Sequence, residues 1–214
     1  MKVSLNDITH MISDRVGQPF NGALQDELKV IINYKRADYF QQIIKAHPEQ
    51  RKFYLKDFTA ELEKVSKSEC PVSVECKVVR TTLDIPTPVR ASDTMFDYVG
   101  DVDKTDSYRY ISPEQVGILS LSRYTGRRPS YFYSNKRIYV FNNNDLEYIN
   151  VRGVFSDPRE LLPFRCGDQP CYTDDDPYEI PEDIVNIIIS EILSHELKNL
   201  LPEFGEVEPT KGSE

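Results

Sequence analysis

"RIYVFNNNDLEYINVRGVFSDP", residues 137–158, decides how the chain is read. Two stretches rich in β-branched and aromatic residues flank Asn142, Asn143, Asn144 and Asp145, residue types that favour turns. The pattern predicts a β-hairpin, with residues 137–141 paired to residues 146–155. On the second strand Ile149, Val151 and Phe155 fall on one face, and Leu146, Tyr148 and Val154 on the other. A strand that is apolar on both faces has to be covered on both. Gly153, inside that strand, marks a bulge or a close backbone approach.

Working outward, helices are expected at both ends. Ser4 opens the first, with Asp7 placed to complete a capping box and Leu5, Ile8, Ile12 and Val16 along one face. Gly17 closes it, and Asn21 caps a longer helix that runs to about Ala46, before His47-Pro48. The polar face of that helix is read as Gln25, Lys29, Lys35, Arg36 and Gln42. At the other end Pro181 starts a helix carrying Ile184, Val185, Ile187, Ile188, Ile189, Ile192, Leu193, Leu197 and Leu200. So wide an apolar surface needs cover from this chain or from another copy.

Between the helices the signals are strand-like. Phe58, Ala60 and Leu62 alternate with Thr59, Glu61 and Glu63; a helical spacing competes, and strand is the expectation. Residues 75–82 form a β-rich run stopped by Pro86 and Pro88, and SYFYS (130–134) reads as a further strand. The polar stretch 92–107 reads as a long exposed loop. The expected fold class is therefore α+β, with N-terminal and C-terminal helices packed together and an inserted antiparallel β-sheet. The expected organisation is one domain over residues 1–214: helical over 1–50, mainly β with loops over about 57–165, a terminal helix over 181–201 and a flexible tail over 202–214.

The chemistry is sparse. With 214 residues, a net charge of −9 and a pI near 5.0, broad phosphate neutralisation is not the default. No apolar run approaches a membrane span, and the first residues lack a signal-peptide pattern, so a soluble, cytoplasmically made protein is expected. Cys70 and Cys76, then Cys166 and Cys171, are spaced more loosely than zinc pairs, and free thiols without metal are expected. His10, His47 and His195 sit in no ligand or nucleophile motif. Asp174, Asp175 and Asp176 are read as a solvated loop in preference to a cation site. Phosphate-loop, nucleophile-elbow and zinc-protease motifs are missing, so no catalytic, metal or cofactor-binding residue is assigned. Arg123, Arg127 and Arg128 lie among aromatics, where a contact between subunits, a solvated loop or a phosphate contact would all be served.

The segments LKVIINYKRADYFQQII, ECKVVRTTLDIPTPVR and KRIYVFNNNDLEYINVRGVFSDPREL together resemble the head-to-tail connector ring proteins of crAss-like phages. More distantly, the plan is similar to tail tubular protein A and the portal adaptors of short-tailed phages. The resemblance implies a structural virion protein, assembled in the host cytoplasm into a homo-oligomeric, dodecameric ring beneath the portal. The ring would extend the DNA channel, pass genomic DNA without sequence-specific binding and join other tail or connector ring proteins. It implies no membrane, no cofactor and no catalysis. On that reading the candidate subunit interface comprises Tyr148, Val151, Gly153, Phe155, Arg123, Arg127 and Arg128. The competing readings are a monomeric protein-binding adaptor, using the tyrosine-rich sheet, and a small metal-dependent enzyme using Asp174–Asp176.

Overall fold

The computed structural model describes residues 3–66, 69, 78–90, 95–115, 128–143, 145–166 and 169–196. The chain forms two compact units, Met1–Tyr39 with Asp174–Glu214, and Phe40–Thr173.

The first unit is helical. Helix α1 (Leu5–Arg15) starts on the expected capping box: the Ser4 hydroxyl accepts from the Asp7 N–H, and the Asp7 carboxylate accepts from the Ser4 N–H. The bond from the Ser4 N–H, and then the Ser4 side chain, hold the Asp7 carboxyl below its ordinary value. Helix α2 (Gly22–Ala46) begins where the Asn21 side chain accepts from the Leu24 N–H, and its 25 residues span ~37 Å, those from Phe40 onward belonging to the second unit. Helix α3 (Glu182–Glu191) follows Pro181 and continues as a π-helical turn over Ile192–Glu196. Of its apolar residues Ile184, Val185, Ile188, Ile189 and Ile192 are buried within this chain, whereas Ile187 is 45% exposed. Arg36, read from the sequence as solvated, is only 3% exposed. Its guanidinium lies over the Tyr178 ring, 5.5 Å from the centroid, and the Tyr178 hydroxyl donates to Asn33 at 2.5 Å.

The described residues of the second unit form a nine-stranded sheet. Its strands are β1 (Lys56–Lys64), β2 (Val78–Thr81), β3 (Tyr98–Gly100), β4 (Arg109–Tyr110), β5 (Ser130–Ser134), β6 (Arg137–Phe141), β7 (Tyr148–Gly153), β8 (Arg165–Cys166) and β9 (Gln169–Pro170). The order is β3-β7-β1-β2-β6-β5-β4, with β8 on β1 and β9 on β8. The segment entering β4 returns to β3: Gly100 bridges Ser107, and the Tyr108 N–H donates to the Val99 carbonyl at 2.7 Å. The sheet thereby nearly closes into a barrel. Inward side chains such as Phe58, Ala60, Ile138, Val140, Ile149 and Val151 fill it as one core. On the outer face Val65, Val78, Ile111, Phe132 and Phe141 form a second cluster, where Phe132 stacks on Tyr139 at 4.6 Å.

Three expectations are corrected here. The fold is mixed but sheet-dominated, not a helical assembly with an inserted sheet, and the sheet is not purely antiparallel, because β4 runs parallel to β5. Strands of two or three residues carry no readable periodicity, so β3, β4, β8 and β9 escaped a reading based on alternation. Second, residues 137–158 are not a hairpin. Strand β6 pairs with β5 and β2, which occupy both of its edges, whereas β7 pairs with β1 and β3. The true hairpin is β5–β6, turned by Asn135 and Lys136 with φ of 50° and 59°. Positive φ at both turn residues gives the primed-turn twist that strands favour. Third, the 92–107 stretch is not simply an exposed loop, because it contains β3, with Phe96 and Val99 in the core.

Candidate functional site

Among the described residues, those expected at the interface divide between the surface and the core. Tyr148, at the start of β7, is 47% exposed. Val151 (0%) and Phe155 (2%) are inside the barrel, and the Phe155 ring lies 5.5 Å from Phe58 and 6.5 Å from Phe96. Gly153 is buried as well, and a Cβ there would meet Phe155 and Phe96 at 3.4 and 3.5 Å, ordinary contact. Arg123 and Arg127 lie outside the described residues. Arg128 is exposed and lines a groove of about 530 Å³ with Tyr108, Arg109, Pro129 and Ser130.

That groove borders the turn 101–106, the acidic stretch, which is tightly built. The Asp101 N–H donates to Asp106 and the Lys104 N–H to Asp101, with Lys104 at φ 58°. The Tyr98 hydroxyl contacts the Asp101 and Asp106 carbonyls at 3.1 and 2.9 Å, and the Tyr108 hydroxyl donates to the Asp101 carboxylate. Burial, then the bond to Asp101, pushes the Tyr108 hydroxyl far above the usual tyrosine range. Lys104 is ion-paired with Asp57.

The Asp174–Asp176 run is structural in its observed contacts. Asp174 pairs with Lys29 at 2.9 Å, and Asp175 accepts from Asn6 at 2.7 Å, tying this loop to both N-terminal helices of the first unit. Among the described residues no group of three or more His, Cys, Asp or Glu side chains could hold a metal ion. Cys166 and Cys171 are joined as a disulfide beside the β8–β9 pair, which corrects the free-thiol expectation for these two residues. The free-thiol expectation rests on loose zinc spacing and the missing signal-peptide pattern, neither of which measures the distance between the two residues; the β8–β9 pairing brings their Cα atoms to 4.9 Å. Cys70 and Cys76 lie outside the described residues.

The structure adds exposed apolar side chains that the sequence reading passed over. Phe20 is 98% exposed between α1 and α2, Leu162 is 51% exposed and Leu83 is 44% exposed. Phe20 had a signal: it is a large apolar residue in a turn, GQPFNG, where no periodicity asks for one.

A family model described as phage tail ring protein 2 matches residues 5–208, nearly the whole chain. The chain belongs to the phage tail ring protein 2 family. No curated protein matches it. As a crAss-like phage ring protein it is a structural component of the virion, part of a ring in the tail. Among the described residues of this ring protein, no helix is long and apolar enough to cross a membrane.

Proposed function

We propose that this ring protein stands in the head-to-tail connector as a homo-oligomeric ring of twelve copies beneath the portal protein, extends the DNA channel and joins it to the next tail component. The family match over residues 5–208 is the observation that carries the reading. Two physical features support it. A net charge of −9 suits the wall of a conduit, since retention of DNA depends on Lys and Arg neutralising phosphates. The nearly closed, side-chain-filled barrel makes a stiff body for a subunit that must keep its shape beside a packed genome. Such a ring would assemble in the host cytoplasm and travel in the particle. The role calls for no cofactor or catalytic group.

Electron cryomicroscopy of purified particles tests it. The expected result is a twelve-fold layer of this fold in contact with the portal and enclosing the channel. Absence of the chain from particles, or a ring located away from the portal, overturns the connector placement.

A further inference from the structure

A closed ring of identical chains needs a head-to-tail contact, in which one patch of each copy meets a different patch of the next. Every copy carries a net charge of −9, so neighbours repel at long range, and an apolar anchor at the contact offsets that repulsion without adding charge. Among the described residues Phe20 is the most exposed large apolar side chain, ahead of Phe53 and Tyr34, each 72% exposed. Phe20 projects from the turn between α1 and α2 with 98% of its surface in water. The turn is fixed, not loose. The Gln25 side chain donates to the Pro19 carbonyl at 2.7 Å, the Asn21 side chain donates to Gln18 at 2.9 Å, and the Gln18 N–H donates to Ser13 at 3.0 Å. Pro19, directly before it, restricts the backbone further. With the turn fixed in this way, only the rotamer of the Phe20 side chain remains to be ordered when the ring is buried.

The sheet unit offers a matching recess. A pocket of about 490 Å³ opens between the Thr82–Ile85 segment and Pro163, with space for a phenyl ring. Its apolar walls are Leu83, Ile85 and Pro163, and exposed Leu162 is next to Pro163 in the chain. The charges around it are already matched to one another: Lys136 with Glu160 at 3.0 Å, and Arg137 with Asp84 at 3.4 Å. A pocket with an apolar floor and a self-neutralised rim favours an apolar guest over a charged one.

We propose that Phe20 of one copy inserts into the Leu83–Pro163 pocket of the next copy around the ring. The proposal rests on the homo-oligomeric reading above and goes beyond it by naming the two patches that meet.

The test places a benzophenone amino acid at position 20 of the full-length chain. Rings are assembled from mixed light and heavy isotope-labelled copies, then irradiated and digested for mass spectrometry. The expected product is a cross-link between copies that joins position 20 to residues 82–85 or 162–163. Phe20→Ser should weaken self-association by at least about tenfold while leaving the far-UV circular dichroism unchanged. Leu83→Asp, at the recess, should act in the same direction. Intact rings whose position 20 cross-links elsewhere on a copy, to another tail protein or to nothing overturn the proposal and leave the ring reading standing. Wild-type chains that form no homo-oligomer, alone or in particles, remove the ring reading and the proposal with it.

Discussion

Glycine-100 and glycine-153 look alike in the sequence but differ in what surrounds them. A Cβ on Gly100 would overlap the Asp106 carbonyl and the Tyr98 ring, at the seam where β3 meets the segment entering β4. A Cβ on Gly153 would only touch Phe155 and Phe96. Gly100→Ala should therefore destabilise the protein by roughly 1–3 kcal/mol, and Gly153→Ala by about 1 kcal/mol or less, in denaturant melts. Equal losses would contradict the seam. A second residue-scale prediction concerns Tyr39, whose hydroxyl donates to Glu191 at 2.7 Å, with Lys35 beside the same carboxylate at 3.5 Å. The Tyr39 bond, aided by Lys35, holds the Glu191 carboxyl below its ordinary value. Burial, then Glu191, pushes the Tyr39 hydroxyl up to about 12. A lowered carboxylate contributes stability above its unfolded pKa, roughly 4.3, and loses it as pH falls through the folded value. The raised hydroxyl contributes below its unfolded pKa, roughly 10, and loses that as pH climbs through the folded one. Tyr39→Phe should thus cost about 1 kcal/mol at neutral pH, and the gap from wild type should narrow in acid. A gap independent of pH down to acid unfolding would show that Glu191 does not depend on this bond.

At the scale of elements, the β5–β6 hairpin is governed by its two turn residues. Asn135 tolerates a positive φ because its short polar side chain can bond locally, whereas a β-branched residue cannot adopt φ 50° without strain. Asn135→Val is expected to destabilise by about 1–2 kcal/mol, whereas Asn142→Gly, which relieves φ 65° but gives up the side-chain bond to the Arg128 carbonyl, should change stability by less than about 1 kcal/mol. Chemical denaturation of the two variants checks the pair, and an indifferent Asn135→Val would rule out the primed turn. The helices were the most legible elements. Ser4, Asp7, Gly17, Asn21 and Pro181 each act within a few residues of where they stand, so their effect is written locally. The pairing of β6 and β7 was misread because a turn-rich spacer between two strands permits a hairpin without requiring one. What excluded it is competition for edges: β5 and β2 fill both sides of β6.

At the scale of the whole molecule, charge governs association. Copies with a net charge of −9 repel one another across tens of ångströms when salt is low. If apolar anchors make the contact between copies, raising ionic strength from about 0.01 M to about 0.15 M, which shortens the Debye length from roughly 30 to 8 Å, should lower the concentration needed for self-association. Light scattering across that range measures it. Association that weakens with salt would point to an interface of ion pairs and against an apolar one.

The sequence by itself determined the local structure and the family. Capping residues and apolar spacing placed α1, α2 and the start of α3, alternation placed β1, and three quoted segments carried the resemblance to phage ring proteins. These are short-range signals, set by backbone sterics and by which face of an element is apolar. Only the tertiary structure decided which strands pair, that the sheet nearly closes, that Val151 and Phe155 are inside while Phe20 is outside, and that Cys166 meets Cys171. The physical reason is that strand pairing and burial join residues far apart in the chain. A β-rich segment carries the same alternation whichever edge it finds, and an apolar residue looks the same in sequence whether the fold covers it or leaves it to a neighbour.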